Sequence, residues 1–243
     1  MNTAEQREVI LKEAFNNLFL IKAKDVIIDL LIDSGTGAMS SRQWAGVMLG
    51  DESYAGSDSF IFFETTIKNL MGFKNVIPTH QGRAAERILF STIAKDGDSI
   101  PSNNHFDTTR ANILEVNANP IDFVCDEASD FSSDFPFKGN MNTDMLENFL
   151  RKADLSKVPI IMLTVTNNTG GGQPVSMENI KQVSKIAKKY NIPFYLDACR
   201  FAENAYFIKI NEKGYIDTPI KEIVQEMFSY ADGCTVSAKK DAI

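Results

Sequence analysis

Between residues 75 and 237, short apolar runs alternate with apolar stripes at helical spacing. That alternation restricts the chain to an α/β architecture with a mainly parallel sheet. The final third shows it most clearly. The run at 158–166 reads as a buried strand. Ser176 then precedes a helix whose Met177, Ile180, Val183, Ile186 and Ala187 share one face, ending near Asn191. Residues 192–197 form the next strand. Thr218 reads as a cap with Pro219 at the first helical position. Ile220, Ile223, Val224, Met227, Phe228 and Ala231 then make one stripe; Gly233 ends it, and 234–237 reads as a last strand. Upstream, strands are expected at 75–78, 99–101 and 121–125, and helices at 82–94, 108–116 and 144–152. Before these come a helix over 3–16, a buried strand over 25–33 and helices over 42–50 and 60–70.

Composition narrows the function. With 25 Lys and Arg against 32 Asp and Glu, the net charge is −7, which argues against a nucleic-acid partner. Three cysteines without metal spacing point to a reduced, cytoplasmic protein, and two histidines exclude a multi-histidine metal site. The first sixteen residues are polar and mixed in charge, unlike a secretory signal. The most apolar runs, 26–32 and 158–165, are too short to span a bilayer, so no membrane association is expected.

Three polar clusters follow expected strands, where ligands of α/β sheets sit. The first is Thr79-His80-Gln81-Gly82-Arg83, at a helix N-terminus suited to an anion; an ordinary turn with a surface arginine fits it equally. The second is Asp197 with Arg200, either a carboxylate facing a ligand or a helix cap with a surface arginine. The third is Ser237-Ala238-Lys239-Lys240, where a lysine could condense with an aldehyde or the pair could simply be solvated. Together, an anion cradle, a strand-end carboxylate and a strand-end lysine are what pyridoxal phosphate requires: a phosphate site, a partner for the ring nitrogen and an amine.

These clusters sit within longer motifs. They are Ser34-Gly35-Thr36-Gly37-Ala38, Gly50-Asp51-Glu52-Ser53-Tyr54, Pro78-Thr79-His80-Gln81-Gly82-Arg83, Phe106-Asp107-Thr108-Thr109, Gly171-Gly172-Gln173-Pro174, Arg200-Phe201-Ala202-Glu203-Asn204 and Ser237-Ala238-Lys239-Lys240-Asp241. In order and over nearly the whole chain, they resemble the β-eliminating lyases of the tryptophanase and tyrosine phenol-lyase family. The resemblance implies the type I, aspartate-aminotransferase-like α/β fold, tetramers built from dimers, and an aromatic amino acid as substrate. It implies that Lys240 bonds the cofactor and moves the Cα proton. Gln81, Gly82, Arg83 and Ser237 would hold the phosphate, with Lys239 close by. Phe106 would stack on the ring, Asp197 would pair with its nitrogen, and Arg200 and Asn168 would contact its phenolic oxygen. Tyr54 would approach from a neighbouring subunit. Gly35 and Glu52 resemble part of a potassium site. Asp107 stands where tyrosine phenol-lyases carry threonine, and an acid there can help protonate C3 of an indole.

Members of the family continue well beyond the position of Lys240. The expectation is therefore an arm with the start of a small domain at 1–45 and an incomplete cofactor-binding large domain at 46–243. The leading reading is lysis of L-tryptophan to indole, pyruvate and ammonia. The alternatives are lysis of L-tyrosine to phenol, a non-catalytic remnant, and an α/β binding domain unrelated to the cofactor.

Overall fold

A computed structural model describes residues 2–26, 39–53 and 55–242. The chain divides into two compact units, Met1–Ala38 and Met39–Ile243. In the first, helix α1 (Ala4–Glu13) opens on a capping box in which Thr3 and Gln6 satisfy each other's backbone N–H groups. The expected strand at 25–33 lies almost wholly outside the described residues; Asp25 itself closes a short 3-10 turn.

In the second unit, helices α2 (Ser41–Met48) and α3 (Asp58–Met71) precede α4 (Gly82–Ile93). Strand and helix then alternate: β1 (Ser99–Ser102), α5 (Asp107–Glu115), β2 (Asn119–Asp122), α6 (Thr143–Lys152), β3 (Ile161–Thr164) and α7 (Met177–Tyr190). The unit ends with β4 (Phe194–Asp197), α8 (Phe201–Asn211), α9 (Ile220–Ser229) and β5 (Gly233–Thr235).

Among the described residues every strand pair is parallel: β1 with β2, and β3 with β4 and β5 in that order. A buried side chain helps join the two sheets. Asn103, fully buried just past β1, accepts a hydrogen bond from Thr164 N at 2.8 Å and donates to Thr164 O at 3.0 Å and Gly139 O at 2.7 Å. It imitates a strand neighbour where the ladder itself is missing.

The core follows the apolar spacing. Met177, Ile180, Val183, Ile186 and Ala187 of α7 are buried with Leu163, Phe194 and Leu196 of the sheet. Ile223, Val224, Met227 and Phe228 of α9 join the same cluster, where Phe228 meets Phe73 edge-on at 5.8 Å.

Four expectations are corrected. Residues 75–78 form no strand: Ile77 is 81% exposed and Pro78 has no N–H to give a ladder. The strand expected at 121–125 lies earlier, as β2, because Asn119 and Ser99 start the register. Pro219 is the N-cap of α9 rather than its first helical residue. The last strand ends at Thr235, which leaves Ser237 in the loop beyond it.

Candidate active site

The register of the three-stranded sheet sets Thr164, Asp197 and Thr235 side by side at the carboxyl ends of β3, β4 and β5. Asp197 is only 6% exposed. Burial pushes its carboxyl up to about 6, against the opposing effects of Cys199, the Lys240 charge and Thr164. Cys199 ties this carboxylate to the next loop: its thiol donates to Asp197 Oδ1 at 3.5 Å, and its sulfur accepts the Ser237 N–H at 3.2 Å.

The N-terminus of α4 meets the same loop. A Cβ on Gly82 would lie 2.8 Å from Ser237 Cβ and 3.0 Å from its Cα, so only glycine fits. Gln81, the N-cap, is extended and its side chain does not cap the helix. The first turn therefore presents backbone N–H groups beside Ser237, with the exposed Arg83 on the same turn. Of the expected phosphate group, Gly82 and Ser237 are brought into contact.

Lys240 is partly buried, and its amine is pushed below the ordinary lysine range by burial first and then by the Arg200 and Lys239 charges. Its loop is anchored by the next residue. Asp241 Oδ2 accepts the N–H groups of Ala202 at 2.8 Å and Glu203 at 2.9 Å, capping α8 from outside that helix. Arg200, the N-cap of α8, supplies no side-chain cap of its own. Lys239 is exposed.

Phe106 is the N-cap of α5, partly buried, and Asp107 beside it is exposed. Asn168 follows β3 in a loop, its carbonyl accepting the Gly171 N–H at 2.9 Å. Glu52 is exposed, and Gly35 and Tyr54 lie outside the described residues.

Several features escaped sequence reasoning, Asp241, Cys199 and the buried Glu86 of α4 among them. Another is a dyad of buried His105 and half-buried Asp122 at the end of β2: Asp122 Oδ1 holds the His105 ring at 2.6 Å and its N–H at 3.0 Å, and Arg110 binds the other oxygen. Burial opposes the Asp122 charge, but His105 and Arg110 outweigh it and hold this carboxyl below its usual range. His105 stands directly before Phe106, so the dyad fixes the chain where the ring-stacking residue is expected.

Buried polar atoms without a hydrogen-bond partner include Thr235 Oγ1 at the end of β5, Thr166 Oγ1 and Asn167 Nδ2 just past β3, and Glu86 Oε2 on α4. Such atoms are costly unless a ligand or water completes them. Their grouping around the strand ends, with a glycine-only contact at a helix N-terminus, an acid and an amine, fits a ring-bearing phosphate ester with an aldehyde.

A family model described as "Beta-eliminating lyase" matches residues 29–243. The chain is 58% identical to a tryptophanase of Salinibacter ruber over 243 residues, 100% of the chain and 51% of that protein. It is 56% identical to a tryptophanase of Rhodobacter capsulatus and 50% identical to a tyrosine phenol-lyase of Clostridium tetani, each covering all of the chain and 53% of the relative. The chain thus spans about half the length of the curated relatives it matches. Among solved structures, the SepCysS–SepCysE N-terminal domain complex superposes with a TM-score of 0.53 at 20% identity, covering 83% of this chain and 48% of that one.

Proposed function

The chain belongs to the beta-eliminating lyase family, and on that premise we propose that it serves in pyridoxal-phosphate-dependent β-elimination, converting L-tryptophan and water to indole, pyruvate and ammonia. The observation that carries this reading is the convergence at one sheet end of the Gly82–Ser237 contact, buried Asp197 and the partly buried Lys240. Bound there, pyridoxal phosphate supplies an electron sink for charge developing at the substrate Cα.

Each residue is then assigned a task. The first-turn N–H groups of α4, Ser237, Gln81 and Arg83 hold phosphate, with Lys239 nearby. Asp197, ionised at neutral pH, keeps a ring nitrogen protonated. Lys240 would hold the cofactor's aldehyde and move the substrate Cα proton; burial lowers its amine pKa, in the direction that favours the neutral form both tasks need. Phe106 stacks on the ring, held by the His105–Asp122 dyad behind it. Asn168 and Arg200 face the phenolic oxygen. Asp107 protonates C3 of the indole as it leaves. Tyr54 from a second subunit, potassium at Gly35 and Glu52, a tetrameric assembly, a cytoplasmic location and the division at residue 45 complete the reading. Among the described residues no helix is long and apolar enough to cross a membrane.

Lysis of L-tyrosine is the second reading, favoured by relatives such as the Clostridium tetani enzyme; the higher identity to tryptophanases and the acid at Asp107 favour tryptophan. Incubating the purified protein and cofactor with each amino acid decides between them. Indole from tryptophan without phenol from tyrosine supports the proposal, and the reverse replaces it.

A further inference from the structure

Two parts of the site lie on different segments of the chain, and one thiol bonds to both. The β4–β5 ladder runs one step past the strands, where Ala198 N–H donates to Thr235 O at 2.9 Å. Beyond that step the two segments are joined through sulfur. Cys199 Sγ accepts the Ser237 N–H at 3.2 Å, and the same thiol donates to Asp197 Oδ1 at 3.5 Å. A thiol carries one proton and a sulfur that also accepts, so it can serve both neighbours at once. The direction is fixed by the partners: an ionised carboxylate only accepts, and a backbone N–H only donates. Burial first, and the Asp197 charge next, push the thiol above its ordinary range, so it keeps the proton this arrangement needs. Ser237 in turn packs against Gly82, where an added Cβ would lie 2.8 Å from Ser237 Cβ. One chain of contacts, Asp197 to Cys199 to Ser237 to Gly82, therefore runs from the acid at the end of β4 to the start of α4.

We propose that Cys199 is a positioning residue: its thiol locks the Asp197 carboxylate to the Ser237 loop and so fixes the span between the partner of a ring nitrogen and the cradle of a phosphate. The tasks at the two ends rest on the functional reading above; the lock is a property of the cofactor-free chain. Cys199 acts through these two residues and needs no contact with the cofactor. A ring and a phosphate joined by a short linker make a nearly rigid ligand, so an error in that span weakens its binding at both ends.

The test compares Cys199→Ala, which removes both bonds, with Cys199→Ser, which keeps a donor and an acceptor at nearly the same place. In the cofactor-free proteins, deuterium exchange of the Ser237 amide is followed by NMR. Affinity for pyridoxal phosphate is then read from an absorbance titration. The expected result in Cys199→Ala is Ser237 exchange about tenfold faster and cofactor affinity about tenfold weaker, with Cys199→Ser within about threefold of wild type in both. The two variants differ only by a hydroxyl, so a packing role would leave them alike. Variants that behave alike, or a Cys199→Ala protein that matches wild type in either measurement, would overturn the proposal. If Cys199→Ala does not fold, Cys199→Val, equally without donor or acceptor, takes its place. A wild-type protein that binds no pyridoxal phosphate would overturn the functional reading instead, and Ser237 exchange then decides the lock by itself.

Discussion

Replacing Gly82 with alanine separates two effects of opposite sign. Gly82 is the first residue of α4 with no left-handed backbone angle, so helix propensity alone favours alanine there by roughly 0.5–1 kcal/mol. The packing opposes it. Carbon atoms settle at about 3.5–4.0 Å, yet the new methyl would stand 2.8 Å from Ser237 Cβ and 3.0 Å from Cα. The start of α4 and the loop before Lys240 must then part by about 0.7 Å. The near atoms are the Cα and Cβ of Ser237, so rotating its side chain gives no relief. Overpacking of this kind costs about 1–3 kcal/mol, which exceeds the propensity gain. At about 2–4 °C per kcal/mol for a chain of this size, Gly82→Ala is expected to lower Tm by a few degrees. It also separates the two halves of the phosphate cradle, so cofactor affinity is expected to fall about tenfold or more. Calorimetry and a cofactor titration check both. A Tm that rises, with unchanged cofactor affinity, would refute the close-contact argument and leave propensity in command.

Three further outcomes are expected. Asn103→Ala removes the bonds joining β1 to β3 and strands buried backbone groups of Thr164 and Gly139; at about 1–3 kcal/mol for each orphan, denaturant unfolding should show a loss of more than about 3 kcal/mol. Asp241→Ala uncaps α8 and should lower stability by about 0.5–2 kcal/mol, with Asp241→Asn recovering part of it. For Asp197 the folded pKa, about 6, lies above the ordinary aspartate value of 3.8, so the folded state binds the extra proton; its contribution is fully present at low pH and is lost as pH rises from 3.8 through 6. The cofactor-free Asp197→Asn protein should therefore melt above the wild type at pH 8 and level with it near pH 4, and equal melting points at both would contradict the burial argument.

The parts of this molecule that could be read from the sequence are those where one residue type has one structural use. Helices α7 and α9 bury one face; the stripes place α7 to within a residue and the start of α9 at Ile220, but α9 stops at Ser229 and Gly233, expected to end it, instead opens β5. Helix α8 went unseen because it has no single apolar stripe: Phe201, Ala205 and Ile208 are buried while Tyr206 and Ile210 are exposed. The apolar run at 75–78 looked like a strand because apolarity cannot tell that Ile77 has no neighbour to cover it. Gly82, Asp197, Ser237 and Lys240 stood out as strand-end or helix-start residues, and the fold gathers them at one sheet end. Glu86 is silent in the sequence, since a glutamate within an amphipathic helix ordinarily faces water. Its burial goes with the packing of α4 on α5, whose Thr109 it bonds, an element distant in the chain. Cys199, Asp241 and the His105–Asp122 dyad likewise act across segments whose spacing carries no pattern.

The central claim is that Lys240 receives pyridoxal phosphate at the end of β5, and reduction of the loaded protein with borohydride followed by peptide mapping tests it most directly. The expected result is a phosphopyridoxyl group on the peptide carrying Lys240, together with a visible absorption band in the unreduced protein that Lys240→Ala lacks. Label on Lys239 or elsewhere, or a band that survives in Lys240→Ala, would contradict the site described here.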